Sequence, residues 1–166
     1  MPQYTKNNPR AFTLIEVMVV IAIISILTGV VIASLGKGRV QRELETNARE
    51  FASVVREAQN YALTGKQIAG NTACAFYVRW SASAYALEYT YKNGSENCTA
   101  TPTPIATRTH TLKYGVTFAN QGIVAFALPW ANTSAQQVNF QKLTSRHSVC
   151  VSDAGKISDQ AGTICP

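Results

Sequence analysis

An uncharged run of nineteen residues, Val17–Leu35, constrains the fold of this chain more than any other feature. As a helix rising about 1.5 Å per residue it is about 29 Å long, which matches a hydrocarbon core of about 30 Å. A secretory signal peptide has a shorter apolar region and ends in a small-residue cleavage site. Here Lys37, Arg39 and Arg42 follow instead. The sequence therefore predicts a helix that spans a membrane and is not cut on its far side.

One acidic residue, Glu16, directly precedes this run. A carboxylate inside a bilayer costs roughly 2.5 to 3.5 kcal/mol at the centre and less near an interface. A positive charge from a neighbouring chain would compensate it, and an amino terminus created by cutting just before Phe12 would supply that charge. The alternative is that Glu16 lies among the lipid headgroups.

The segment Arg10–Val20 resembles the prepilin cleavage signature of type IV pilins and type II secretion pseudopilins. It joins a short basic leader, a small residue, Phe12, an acidic residue at the fifth mature position and an apolar helix. The resemblance implies cleavage between Ala11 and Phe12, methylation of the new Phe12 amino group, and pairing of Glu16 with the amino terminus of an adjacent subunit. Ala11 stands where Gly is usual, and since the site stays small we expect slower or unaltered processing.

Four segments are predicted: a leader at 1–11, a transmembrane and assembly helix at 12–36, an amphipathic half of the same helix at 37–65, and a β-rich head at 66–166. Gly65 is the predicted C-terminal cap of the helix. Apolar residues of the amphipathic half recur every three or four positions and predict one buried stripe, which contains Val40, Leu44, Ala48, Phe51, Val55, Ala58 and Ala62. The pairs Arg39 with Glu43 and Glu45 with Arg49 are four residues apart and are interpreted as surface pairs that keep the stalk soluble.

The rest of the chain has β-strand patterns. Apolar and polar residues alternate over 74–80 and 85–91, which predicts a hairpin with its turn at 81–84. Further strands are predicted near 105–113, 116–118, 123–128, 138–143 and 148–152, with a short last strand after a turn at 153–155. The predicted fold class is α+β: a long N-terminal helix, transmembrane and then amphipathic, packed on an antiparallel sheet in the pilin-like arrangement.

All four cysteines, Cys74, Cys98, Cys150 and Cys165, follow the apolar run, and their spacing does not suit zinc. If this part of the chain lies outside the cytoplasm, the even number indicates two disulfides. Three pairings are open, and proximity along the chain favours Cys74 with Cys98 and Cys150 with Cys165. Four buried free thiols are the alternative.

The sequence has no pattern typical of an enzyme. His110 and His147 are the only histidines, and neither has a metal-ligand spacing to a second histidine or a carboxylate. There is no glycine-rich phosphate loop after a strand and no nucleophile elbow. We therefore expect no catalytic residue, metal or cofactor. Whether the N-x-S/T triplets at Asn93, Asn97 and Asn132 are modified stays open.

Binding of nucleic acid is the main alternative to a purely structural role. After Gly65 the chain has eight Lys or Arg and four Asp or Glu, a difference of +4, and its aromatic residues could stack on bases. Those considered are Tyr61, Tyr77, Trp80, Tyr85, Tyr89, Tyr91 and Trp130. DNA-binding FimT-like pilins resemble one another in an arginine-containing motif after a glycine, whereas here Gly155 is followed by Lys156, Ile157 and Ser158. Because the basic residues are scattered, DNA binding is not favoured.

The resemblance implies a structural subunit of a type IV pilus or type II secretion pseudopilus. A looser similarity of 50–61 and 148–158 to the minor pseudopilin H or FimT-type subfamily, with no proline between Pro9 and Pro102, favours a minor subunit. A major pilin and a DNA-binding or adhesive tip pilin are the alternatives. The implied partners are other pilin or pseudopilin subunits, the prepilin peptidase and an inner-membrane assembly platform. The implied location is the inner membrane, followed by an extracellular or periplasmic filament.

Overall fold

The computed structural model describes residues 12–92, 94, 97–99 and 101–165, without the side chains of 30–35, 37 and 107. These residues form two compact units that divide between Gly38 and Arg39. The helix α1, Leu14–Thr64, contributes residues to both. The predicted leader at 1–11 lies outside the described residues. Within the described part of the chain, no helix qualifies as a candidate membrane span by length and hydropathy.

The helix α1 ends at the predicted cap. Gly65 has a φ of 62°, in the left-handed region that glycine adopts without strain. The amide of Gly65 donates to the carbonyl of Ala62 at 3.4 Å, and the amide of Lys66 donates to that of Tyr61 at 3.1 Å. This pair of bonds is a Schellman motif, which satisfies carbonyls of the last turn and redirects the chain.

The second half of α1 buries the predicted apolar stripe. Six of its seven members have no exposed surface: Leu44, Ala48, Phe51, Val55, Ala58 and Ala62. Val40, at the start, is partly buried against the same core. Helical periodicity alone identified the face of the helix that packs in the head unit, because residues three and four apart lie on one side of a helix.

Eight strands follow α1 in the described residues, and all pair antiparallel. They are β1 (Ala73–Ser81), β2 (Ala84–Tyr91), β3 (Thr103–Thr111), β4 (Thr117–Phe118), β5 (Gly122–Ala127), β6 (Gln136–Lys142), β7 (Ser145–Val151) and β8 (Ile157–Ala161). They form two four-stranded sheets, ordered β3-β2-β1-β5 and β4-β6-β7-β8. The α+β class is confirmed, but the sequence pattern, which predicts one sheet, does not reveal that strand β5 returns to pair with β1 while β4 joins β6.

One aromatic ring connects α1 with both sheets. The Phe51 ring makes edge contacts with Trp80 and Tyr85 of the first sheet at centroid distances of 5.8 and 5.2 Å. It makes similar contacts with Phe118 and Phe140 of the second sheet at 5.5 and 5.6 Å. Edge-to-face geometry suits the charge distribution of aromatic rings. These contacts therefore add to the stability that the burial of apolar surface provides.

Two disulfides close loops of the head. Cys74 of β1 is bonded to Cys98, and Cys150 of β7 is bonded to Cys165. These are the two pairs that proximity along the chain favours. The bonded cysteines are 24 residues apart in the first pair and 15 in the second. The first anchors the connection between β2 and β3, and the second anchors the segment after β8.

Candidate assembly site on the N-terminal helix

The predicted assembly residues lie at the start of α1. Thr13 precedes the first helical residue, and its hydroxyl oxygen accepts a hydrogen bond from the Glu16 amide at 3.3 Å. Thr13 is therefore the N-cap, and Glu16 is the third residue of the helix. The T-x-x-E spacing is that of a capping box, which could have been read from the sequence but was missed there. The cap thus starts the helix at Leu14, two residues after Phe12.

The carboxylate of Glu16 belongs to the first turn of α1. A helix has partial positive charge at its N-terminus, so an acidic side chain is favourable there by about 0.3 to 1 kcal/mol. Phe12, Glu16 and Val20, each four residues from the next, border one shallow surface depression. Of the predicted cleavage pair, Phe12 is described, whereas Ala11 lies outside the described residues.

Large apolar side chains cover this part of α1 on all sides and are exposed to solvent in the single chain. The exposed fraction is 81% for Phe12, 76% for Leu14 and 60% for Leu27. The others at 49% or more in this stretch are Ile15, Val17, Met18, Val19, Val20, Ile21, Ile23, Ile24 and Ile26. An apolar surface of this length, all round a helix, needs to be covered by lipid or by other protein chains.

Two polar residues of the apolar run satisfy their hydroxyl groups inside the helix. The Ser25 hydroxyl donates to the Ile21 carbonyl at 2.8 Å, and the Thr28 hydroxyl donates to the Ile24 carbonyl at 2.7 Å. A hydroxyl bonded in this way can enter an apolar environment at a lower cost than a free one. These residues therefore do not interrupt the apolar surface.

In the head unit, Glu43 has a role that its spacing did not predict. Its carboxylate accepts hydrogen bonds from Arg39, at 2.9 Å, and from Lys142 at the end of β6. Its side chain is only 11% exposed, and these two cations hold the pKa of the carboxyl below its usual value. Glu43 thus takes part in the packing between α1 and the second sheet through Lys142, whereas Arg39 stays on the surface.

His147 of strand β7 is buried, and its ring lies near residues of α1 and β8. Its Nδ1 lies 3.5 Å from Gln41 Nε2, and its Nε2 lies 3.7 Å from the Asp159 carboxylate. Burial lowers the pKa of the imidazole, although the attraction of Asp159 opposes this. His110 stacks on the Tyr85 ring at 5.1 Å. In the described part of the chain there is no group of His, Cys, Asp and Glu that could hold a metal ion.

The aromatic residues considered for base stacking are mostly part of the core. Trp80, Tyr85 and Tyr89 are buried, whereas Trp130 is 77% exposed. Tyr61, Tyr77 and Tyr91 are partly buried. Among the basic residues, Arg79 is paired with Glu88 and Arg108 with Glu57. Among the described residues, these side chains therefore do not form a platform of free aromatic and basic groups.

Comparisons with known proteins find a family match that includes the start of α1. Residues 6–32 match the family described as the prokaryotic N-terminal methylation motif. A similar relative is the type II secretion system protein H of Aeromonas hydrophila, 31% identical over 65 residues, which are 39% of this chain and 36% of the relative. Another is the type II secretion system protein H of Pseudomonas aeruginosa, 46% identical over 46 residues, 28% of this chain and 27% of that protein.

The match spans about a third of the length of these relatives. No solved structure matches the chain. The methylation motif implies a precursor anchored in a membrane, and the pilin and pseudopilin families consist of structural subunits that are not enzymes. The motif, the α+β fold and the similarity to the two relatives together support a pseudopilin or type IV pilin-like protein.

Proposed function

We propose that this protein is a minor structural subunit of a type II secretion pseudopilus or a type IV pilus. The precursor is held in the inner membrane by residues 12–36 and is cut between Ala11 and Phe12 by a prepilin peptidase. The new Phe12 amino group is methylated. An assembly platform in the inner membrane then moves the subunit into a filament whose other members are pilins or pseudopilins.

The observation that carries this proposal is the exposed apolar surface of α1 between Phe12 and Leu27. Such a surface is stable in a lipid bilayer, and equally among the corresponding helices of a filament. A subunit that moves between these two environments keeps its helix covered throughout. The apolar surface and the methylation motif of 6–32 overlap, which supports one role for both.

The proposed role of Glu16 is to select the position of the neighbouring subunit. Its carboxylate lies in the first turn of an apolar helix, where an unpaired charge is costly once water is removed. The amino terminus at Phe12 of an adjacent subunit is the complementary charge. Only an arrangement that brings the two together removes the penalty, so the pair determines register.

Both relatives are the type II secretion system protein H of their organisms, and this favours a secretion pseudopilus over a pilus. The share of this chain in purified filaments separates a minor subunit from a major pilin. A minor subunit is expected at a few copies or fewer per filament, whereas a major pilin would make up most of the protein mass.

Mass spectrometry of the protein from its own host tests the processing. We expect a mature chain that begins at Phe12 and carries one extra methyl group. The variant A11E, with a bulky charge before the cut, should accumulate as precursor. A mature terminus at any other residue would contradict the proposal.

Filament incorporation of E16Q tests the assembly step. The matched control is E45Q, which changes another acidic residue of α1 that is partly exposed and pairs with Arg49. We expect E16Q to be processed and membrane-bound but largely absent from filaments, and E45Q to enter them normally. Equal incorporation of the two variants would overturn the role of Glu16.

A further inference from the structure

Two large apolar side chains protrude from loops of the head unit. Tyr114 is 59% exposed and Leu143 is 85% exposed. Both have positive φ angles, 62° and 54°, which are unusual for residues with large side chains and cost of order 1 kcal/mol or more. Neither side chain recovers this cost by burial in the head. We call these two residues the loop-tip patch.

Hydrogen bonds place the loop-tip patch beside the first helical turns of the head unit. The Lys142 ammonium donates to the Tyr114 carbonyl and also to the Glu43 carboxylate on α1. Leu143 directly follows Lys142. Glu43 in turn accepts from Arg39, the first residue of this unit. Both loop tips therefore lie at the part of the head where its share of α1 begins.

The end of the head that contains the patch also has two exposed arginines without an acidic partner among the described residues. Glu43 is already occupied by Arg39 and Lys142. Arg42 and Arg146 are exposed, and no ion pair involves either of them among the described residues. Arg146 precedes His147, whose ring lies 3.5 Å from Gln41, so it belongs to the same end of the head. Two exposed arginines thus lie at the same end of the head as the two exposed apolar side chains.

This combination fits a membrane surface. An aromatic ring and a leucine enter the boundary between headgroups and acyl chains, while arginine binds phosphate and extends along the surface. Each basic residue close to an anionic membrane increases binding about fivefold. The core of a protein interface, by contrast, is depleted of charge.

The chain itself limits how far the first residue of the head unit can be from a bilayer. Arg39 follows Leu35, the last residue of the predicted span, by four positions. Four residues reach at most about 14 Å even when fully extended. We infer that the loop-tip patch docks on anionic phospholipid headgroups while the subunit waits in the membrane. This inference rests on the proposed membrane-inserted precursor, and extraction into a filament would then have to release the patch.

Hydrogen exchange of the full mature chain in lipid nanodiscs tests the docking. One preparation contains phosphatidylcholine alone, and the other adds 30% phosphatidylglycerol. We expect slower exchange of the amides at 113–116 and 142–146 in the anionic discs only. The double variant Y114S/L143S should lose this protection. The double variant R42Q/R146Q should lower it by about fivefold for each arginine.

The matched control is W130S, because Trp130 is also a large apolar side chain that is 77% exposed but lies after β5, away from the patch. This variant should keep the wild-type protection. Near-ultraviolet circular dichroism checks that each variant keeps its packed core.

Three outcomes would overturn the docking. Protection that is equal in both lipids, or that survives in Y114S/L143S, excludes headgroup binding by the patch. Protection that appears only when two copies share a disc would mean that the patch binds a second copy of the chain and not the lipid. Loss of the protein from the discs would instead reject the membrane-inserted precursor itself, so failure of the docking and failure of the proposed function are distinguishable.

Discussion

The ring of Phe51 on α1 meets the ring of Phe140 on β6 edge-on, with centroids 5.6 Å apart. The opposite neighbour of Phe51, Trp80 on β1, lies at 5.8 Å in a similar geometry. A single helical side chain therefore links the two sheets, which share no strand. The head unit thus depends on α1 for part of its core.

Replacing this ring is expected to destabilise the head strongly. In F51A the fully buried side chain leaves a cavity between α1 and both sheets, which costs about 3 to 5 kcal/mol. The free energy of unfolding in guanidinium chloride, measured in detergent, checks this. L63A is the control, since Leu63 is 57% exposed and its loss should change stability by less than about 0.5 kcal/mol.

Enlarging Gly122 should also destabilise the first sheet. A Cβ atom at this position would lie 2.6 Å from Trp80 Cζ2. The indole is buried and cannot move without disturbing its neighbours, so G122A should cost about 1 to 3 kcal/mol. G38A is the comparison, because nothing lies within 4 Å of its Cβ and alanine favours the helix. If G122A is as stable as G38A in thermal unfolding, the close contact with Trp80 is wrong.

The disulfide between Cys150 and Cys165 should stabilise the end of the chain. It closes a loop of 15 residues, for which the chain-entropy account gives about 3 kcal/mol. C150S/C165S should therefore unfold at lower denaturant, while the mass of the variant still shows the bond between Cys74 and Cys98. A variant in which the remaining cysteines pair differently, as shown by peptide mapping, would contradict the observed connectivity.

Stability should fall at acidic pH partly because of His147. Its folded-state pKa is lowered by burial, so the unfolded chain takes up the proton first as the pH decreases. The contribution of the neutral ring is therefore complete above about pH 6.5 and is lost as the pH falls from there towards the lowered pKa. The imidazole faces Gln41 and Asp159, with Glu45 and Arg49 contributing charge.

The variant H147Q tests this linkage. Below about pH 6.5, the free energy of unfolding of H147Q should depend less on pH than that of the wild type. The control variant H110Q leaves His147 in place, so its free energy of unfolding should depend on pH as in the wild type. Two parallel stability curves for H147Q and the wild type would reject the contribution of this histidine.

Local patterns predicted most elements of the fold. The stripe from Val40 to Ala62, the cap at Gly65 and the hairpin turn at 81–84 depend on residues close together in the chain, and periodicity or turn chemistry is sufficient to find them. The N-cap bond from the Glu16 amide to the Thr13 hydroxyl is equally local, and it was missed because the acidic residue was interpreted only as a charge to be neutralised.

The sequence by itself determined the apolar helix, the methylation motif, the buried face of α1 and the positions of the strands, because each of these depends on spacing within a short segment. Only the tertiary structure decided that the strands form two sheets, that Phe51 joins them, and that Lys142 reaches Glu43. It also decided that Lys142, which precedes Leu143, reaches the carbonyl of Tyr114. These relationships bring together residues far apart in the chain, and pairing among several compatible strands depends on how the whole core packs.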